Sequence, residues 1–131
     1  MRLGGVLVAS TRQSVRVLET SHPPAYYLPR SSFEPGVLEP SAGSSVCEFK
    51  GVASYVSVRV GDRLLARVGW TYPEPLPGYE VLVDRIALYA TELTCTVDGE
   101  LVEPQPGGFY GGWITSRVVG PFKGAPGTRG W

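Results

Sequence analysis

The chain has 131 residues, enough to bury one hydrophobic core without help from disulfides or metals, so we expect a single domain spanning 1–131. Twelve basic residues balance twelve acidic ones, which leaves no overall electrostatic field to favour a nucleic acid or an anionic membrane as partner. Seventeen glycines and twelve prolines suit short strands and tight turns better than long helices. We therefore predict a compact all-β fold, mainly antiparallel, with room for one short helix.

The sequence of the first thirty residues predicts two strands, which are followed by a proline-rich segment without a regular strand ladder. Residues 3–9 and 14–19 are predicted to be strands that face each other across a short polar turn. In the stretch SHPPAYYLPR, three prolines remove backbone N–H donors, so we expect it to run extended at a sheet edge or over the surface. Tyr26 and Tyr27 then point in opposite directions.

The middle of the chain contains the clearest hairpin. Residues 31–45 have loop composition and no helical period, so we predict a connection there. Two alternating runs follow, at 53–60 and 63–70, with a Gly-Asp turn between them, and they predict an antiparallel hairpin with one buried and one solvated face. The alternation puts the even-numbered residues of both runs on the buried face.

Two further elements follow the hairpin. The run EVLVDRIALYA predicts one helical turn that leads into a strand centred on Ile86 and Leu88. Asp98 and Gly99 form the dipeptide that supplies the positive φ angles of a tight hairpin turn.

The last 28 residues differ in composition from the rest of the chain. They are rich in glycine and proline and carry five aromatic side chains, which a flexible linker would not keep in solvent. We therefore expect a core β domain at 1–103 and a tail at 104–131 that packs on it.

The two cysteines and the start of the chain bear on location and metal binding. Cys47 and Cys95 form no C-x-x-C motif, so we expect reduced thiols, no metal site and no cofactor. The run MRLGGVLVAS is too short and too alternating for a signal peptide or a membrane span. We expect a cytoplasmic protein with no membrane partner.

Several stretches in a fixed order resemble a known family, and they are HPPAYYLPR, CEFKGVASY-x-SV, WTYPEPLP, ALYA and VDGELV. Over roughly residues 5–103 they are similar to the domain-of-unknown-function 427 family, which is also labelled a nucleotidyltransferase family. The resemblance implies a β-tent or Mss4-like barrel or sandwich and no established activity. Where the family has Cys-Pro-Tyr-Lys-Gly, this chain has Cys-Glu-Phe-Lys-Gly. The magnesium-binding carboxylates that nucleotidyl transfer requires do not occur in a recognisable motif, so the sequence does not support the transferase label.

Lys50 is the leading candidate for a functional side chain. Only two lysines occur, Lys50 and Lys123, each in a Phe-Lys-Gly tripeptide, and we interpret Lys123 as a simple charge or a ligand clamp. As a general base or nucleophile, Lys50 would need a depressed pKa, which burial beside Tyr55 would provide. The alternative is a lysine that lays its stem on an aromatic ring and keeps its ammonium in water. Cys47 could assist Lys50 only if the strand had a bulge between them, because positions 47 and 50 of a regular extended strand point to opposite faces. His22 is the single histidine, which excludes a multi-histidine site.

Aromatic and charged residues near predicted strand ends indicate a pocket, against the alternative that the rings only pack the core. The candidate ligand-binding residues are Lys50, Tyr27, Arg30, Tyr55, Trp70, Tyr72, Glu74 and Trp113. Our first hypothesis is a domain that binds a planar or anionic small molecule. Two alternatives remain open: an enzyme with Lys50, Tyr55 and Cys47 as candidate catalytic residues, and a protein-interaction module that pairs through strand edges, with a homodimer as its expected form.

Overall fold

A computed structural model of the chain describes residues 1–18, 23–47, 50–105 and 111–116, with the backbone alone at Cys47. Twelve strands account for most of these residues, and the part of the chain described contains no α-helix. The strands are β1 (Arg2–Leu3), β2 (Val6–Leu7), β3 (Val15–Val17), β4 (Ala25–Pro29), β5 (Leu38–Cys47), β6 (Gly51–Val60), β7 (Arg63–Thr71), β8 (Arg85–Leu88), β9 (Thr96–Val97), β10 (Glu100–Leu101), β11 (Glu103–Pro104) and β12 (Trp113–Ile114). Two single turns of 3-10 helix lie at Arg30–Ser32 and Glu80–Leu82.

Six of the strands form one antiparallel sheet in the order β3-β4-β8-β7-β6-β5. The other six form three two-stranded ribbons, β1 with β2, β9 with β10, and β11 with β12. The all-β prediction is confirmed. None of the helices that the structure describes is long and apolar enough to cross a membrane.

The central sheet carries hydrophobic residues on both faces, because successive side chains of each strand point to opposite faces. In β8, Ile86 and Leu88 belong to the main core, whereas Ala87 between them belongs to a second, smaller cluster. Tyr26 and Tyr27 divide in the same way, as predicted from their adjacent positions. The ribbons and loops outside the sheet cover the main core with Leu3, Val8, Leu93, Val102 and Trp113.

Strands β6 and β7 form the predicted hairpin, but the alternation in β7 is interrupted. Val56 pairs with Gly69, and Val58 pairs with Leu65, so β7 has two more residues than β6 between the same two pairs. The exposure of Leu64 has a different cause, because the two-residue turn at 61–62 pairs Arg59 with Leu64 and Val58 with Leu65. Directly opposed residues share a face, so Leu65 lies on the core face with Val58 and Leu64 lies on the face of Arg59. The prediction that residues 64 and 66 are buried is therefore wrong: both are exposed, and Leu65 is buried instead.

Three other predictions of the amino-terminal half are wrong. For the strands predicted at 3–9 and 14–19, the described residues 14–18 do not pair with 3–9, because β1 and β2 already form a ribbon within the first segment and β3 pairs with β4. The stretch from Ala25 to Pro29 is not at an edge, since two of the prolines precede the strand and the third ends it. The loop predicted at 31–45 contains much of β5, an edge strand whose exposed residues show no hydrophobic alternation.

The structure of residues 80–90 and 96–101 agrees with the prediction from the sequence. A 3-10 turn at Glu80–Leu82 leads into β8, as the run EVLVDRIALYA predicted. Asp98 and Gly99 have φ angles of 50° and 83° and connect β9 to β10. Positive φ at both central positions is the requirement of a two-residue hairpin turn, which explains the Asp-Gly sequence there.

Candidate functional site

A row of cross-strand partners runs across the central sheet and positions the candidate site. In sheet order its members are Val15, Tyr27, Ala87, Trp70 and Tyr55. Directly opposed residues of antiparallel strands project from the same face, and this face carries the second cluster. The row therefore brings Tyr27, Trp70 and Tyr55 together from three separate strands.

The residues of this face line a cleft of about 760 Å³. Five of the ligand-binding residues proposed from the sequence lie in it, and they are Lys50, Tyr27, Tyr55, Trp70 and Tyr72. The residues that line the rest of the cleft include Ser45, Arg67, Tyr89, Glu92, Gln105 and Gly111. The volume is in the range of small-molecule sites, and the mixture of rings with a few polar groups is typical of them.

The aromatic side chains of the cleft hold one another in place. Tyr27 and Tyr72 are buried, with their ring centroids 6.3 Å apart. The Trp70 indole meets Tyr27 edge-on, and its Nε1–H donates a hydrogen bond of 3.0 Å to the Tyr27 hydroxyl. On its other side Trp70 lies 4.9 Å from the Tyr89 ring. Because Trp70, Tyr89 and Tyr55 are only half-buried, these three rings offer surface to a ligand, while Tyr27 and Tyr72 form the floor.

Lys50 lies at the end of the cleft where β6 begins. Only 7% of its surface is exposed, which is unusual for a lysine. Its carbonyl accepts a hydrogen bond of 2.8 Å from the backbone N–H of Leu76, and Gly51 after it has a φ of 114°. A Cβ at Gly51 would lie 3.2 Å from the Glu74 carbonyl oxygen. The close approach of residues 74–76 therefore fixes the backbone on which Lys50 stands.

Arg67 lies on the rim of the cleft, within the bulge of β7. Its φ of 54° is in the left-handed region that non-glycine residues rarely adopt. Its backbone N–H donates a hydrogen bond of 3.3 Å to the hydroxyl of Ser57, a buried residue of the neighbouring strand. Its guanidinium carbon lies 4.4 Å from the centroid of the Tyr55 ring, and the Tyr55 hydroxyl donates to Ser45 at 3.1 Å. Strands β5, β6 and β7 thus all contribute to the position of this cation.

The hydroxyl of Tyr89 has a perturbed acidity that reflects its place in the cleft. Burial raises its pKa, the nearby Tyr55 raises it further, and the positive charge of Arg67 opposes both. Tyr89 is therefore neutral at physiological pH and keeps its proton for hydrogen bonding.

Residues 105 and 111–112 close one wall of the cleft at short range. The buried Gln105 side chain accepts a hydrogen bond of 3.1 Å from the Gly112 backbone N–H. A Cβ at Gly111 would lie 2.2 Å from the Trp70 ring, and one at Gly112 would lie 2.5 Å from Pro23. Glycine is thus required at both positions for the chain to pass this close to the aromatic side chains.

Three of the proposed ligand-binding residues lie outside the cleft. Arg30 forms an exposed ion pair of 3.0 Å with Asp84, and Glu74 contributes its backbone to the Lys50 turn without lining the cleft. Trp113 is buried in the main core, where its ring stacks on Tyr26 at 5.2 Å.

Other candidates fall on positions whose side chains the structure does not describe. They are Cys47, His22 and Lys123. Cys95 is described as a free, buried thiol. Among the described residues, no group of three or more His, Cys, Asp or Glu side chains is arranged to hold a metal ion.

Arg67 and Tyr89 are among the cleft residues that were not predicted from the sequence. Tyr89 belongs to the ALYA stretch and directly follows Leu88. Strand alternation therefore predicts that its side chain lies on the opposite face of the sheet from Leu88. No local pattern marks Arg67, because its position depends on a bulge that only the pairing with β6 reveals.

The fold and the cleft together define a small all-β domain built on a six-stranded antiparallel sheet with an aromatic-lined cleft on one face. A family model described as Domain of unknown function (DUF427) matches residues 1–103, and the chain belongs to this family. A search of curated proteins finds no significant match. The family assignment confirms the resemblance of the sequence motifs and does not assign an activity.

Proposed function

We propose that the domain binds a compact, planar or anionic small molecule in the aromatic cleft. The observation that carries this proposal is the convergence of three half-buried rings and two cations, Lys50 and Arg67, on one space of about 760 Å³. Half-buried aromatic faces bind planar groups by stacking, and cations beside them attract negative charge. A cytoplasmic location is part of the proposal, and the free thiol of Cys95 suits a reducing compartment.

A thermal-shift screen of the full chain with nucleosides, cyclic imides and small aromatic carboxylates tests this proposal. A compound that binds only the folded state at a concentration a hundred times its Kd should stabilise it by about 2.7 kcal/mol, which is a readily measured rise in Tm. The variants Trp70→Leu and Lys50→Gln should lose the shift. The matched control is Arg30→Gln, which removes a cation that pairs with Asp84 outside the cleft. If no compound of the three classes shifts Tm, the proposal is refuted.

A second candidate function is catalysis by Lys50, and the observation that favours it is the burial of this lysine within the cleft. A buried amine is suited to attack a carbonyl, with loss of water, to form a Schiff base. Treatment of the protein with small aldehydes and borohydride should then attach the reduced adduct to Lys50, as mass spectrometry would detect. Labelling that is no faster at Lys50 than in the unfolded chain would remove this candidate.

A further inference from the structure

The backbone of Arg67 is held in a conformation that is unfavourable for its residue type. A left-handed φ is energetically unfavourable for a non-glycine residue, and such residues are concentrated at functional sites. Glycine would relieve this strain, and glycine occupies most of the positive-φ positions of the described chain. A long cationic side chain at this position therefore suggests a requirement for the side chain itself.

The Arg67 guanidinium is oriented by a ring contact, and none of the described carboxylates neutralises it. The Tyr55 ring covers one of its faces at 4.4 Å, and a Cβ at Gly43 would lie 3.3 Å from its Nη2 atom, so a larger residue at 43 would crowd it. In the part of the chain that the structure describes, no carboxylate lies within 4.0 Å of this guanidinium. Stacking on a ring leaves the N–H edge of a guanidinium available for a bidentate pair with an oxyanion.

The other charged groups of the cleft limit which anion fits. Besides Arg67, the described cleft walls carry the cation Lys50, at the start of β6, and the carboxylate Glu92, beyond the end of β8. A phosphate dianion would meet repulsion from Glu92 with only one guanidinium in contact, whereas a carboxylate carries one charge and two coplanar oxygens. The half-buried Trp70 and Tyr89 rings next to Arg67 complement an aromatic group on the same ligand.

We infer that the cleft takes an aromatic monocarboxylate, with the carboxylate paired to Arg67 and the aromatic group against Trp70 and Tyr89. This inference rests on the proposed function and makes Arg67, which the sequence did not indicate, the residue that selects for the acid.

Isothermal titration of the full chain with three matched probes tests the inference. The probes are 2-naphthoate, 2-naphthamide and 2-naphthyl phosphate, which share a ring system and differ in charge. Wild-type protein should bind the naphthoate at least about ten-fold more tightly than the amide, because hydrogen bonds between charged partners are stronger than those to a neutral group. Arg67→Gln should remove this preference, and Arg67→Lys should keep part of it.

The control variant is Arg63→Gln, which removes one positive charge from the same strand outside the cleft and should not change the preference. Equal binding of acid and amide by the wild type would overturn the inference and leave the proposed function intact. Retention of the preference in Arg67→Gln, or its loss in Arg63→Gln, would also overturn the assignment to Arg67. Tighter binding of the naphthyl phosphate would overturn the monocarboxylate in favour of an aryl phosphate. No binding of any probe would overturn the inference, whereas the proposed function is decided by the thermal-shift screen.

Discussion

Replacement of Trp113 should destabilise the whole domain, although this residue lies beyond the part of the chain that the family model matches. Its side chain is 4% exposed, its ring stacks on Tyr26 with centroids 5.2 Å apart, and its Nε1–H donates a hydrogen bond of 2.8 Å to the Leu88 carbonyl. The backbone N–H of Trp113 also donates to the Pro24 carbonyl at 2.8 Å, and this bond survives a change of side chain.

The size of the effect follows from what each variant removes. Trp113→Ala leaves a large cavity beneath the sheet, and truncations of buried tryptophan typically cost about 3–5 kcal/mol. Trp113→Phe keeps the stacked ring but loses the hydrogen bond to Leu88 and part of the volume, so about 1–2 kcal/mol is expected. A domain of this size is stable by about 5–15 kcal/mol, so the alanine variant should lose a large fraction of its stability.

Urea unfolding followed by far-ultraviolet circular dichroism measures these differences without relying on tryptophan fluorescence. The free energy of unfolding should fall in the order wild type, Trp113→Phe, Trp113→Ala. Leu101→Ala serves as the control, because Leu101 is 61% exposed and its truncation should change stability by no more than about 0.5 kcal/mol. If Trp113→Ala unfolds at the same urea concentration as Leu101→Ala, the tail strand does not complete the core in solution.

Three further predictions concern single positions in the sheet and the core. Gly69→Ala places a Cβ 2.8 Å from the Ala87 carbonyl oxygen, so urea unfolding should show a loss of about 1–3 kcal/mol, and an unchanged midpoint would contradict the close strand approach. Arg67→Gly should be more stable than Arg67→Ala by about 1 kcal/mol, since both lose the contact with Tyr55 but only glycine relieves the positive φ; equal stabilities would contradict the bulge. Burial raises the pKa of the Cys95 thiol from 9.0 to about 11, so the unfolded chain ionises first and stability should fall between pH 9 and pH 11 by about 2 kcal/mol. Cys95→Ala should have a flatter stability profile over this range, and parallel profiles would refute the assignment.

The elements that could be predicted from the sequence are those whose signal is local. The hairpin of β6 and β7 follows from two alternating runs and a Gly-Asp turn, and the turn at Asp98 follows from the φ angles that an Asp-Gly pair tolerates. The opposite directions of Tyr26 and Tyr27 follow from strand geometry alone. In each case a few neighbouring residues determine the result, so no knowledge of distant partners is needed.

The elements that could not be predicted depend on pairing between distant segments. Strand β5 contains Pro40, Gly43 and several serines, which individually indicate a loop, and its backbone pairs with β6 across a register shift. As an edge strand, it needs neither a buried face nor strong β propensity. The bulge at Arg67 cannot be predicted from the sequence either, because the two extra residues of β7 are recognised only when the residues of β6 that pair with β7 are known.

The candidate site shows the same division between local and distant information. Tyr27, Trp70 and Tyr55 could be nominated because each is a ring on a predicted strand or near its end, and cross-strand register then brings them together. Arg30 and Trp113 were nominated on equal grounds, but their neighbours in space place one in an exposed ion pair and the other in the core. The sequence shows which residues are of a type that a pocket needs. The register of the sheet determines which of these residues face the pocket.

The boundary of the family match divides the cleft into two parts. The sheet residues that hold the rings and cations all lie within residues 1–103, whereas Gln105, Gly111 and Gly112 close the wall beside Trp70 from outside that range. Because a Cβ at either glycine would collide with its neighbour, this wall has a fixed fit to the Trp70 side of the cleft. A different continuation after residue 103 would leave the sheet residues of this chain in place and remove this wall. In the proposed function, the wall would therefore restrict the shape of the ligand, while the rings and cations of the sheet would attract a charged planar group.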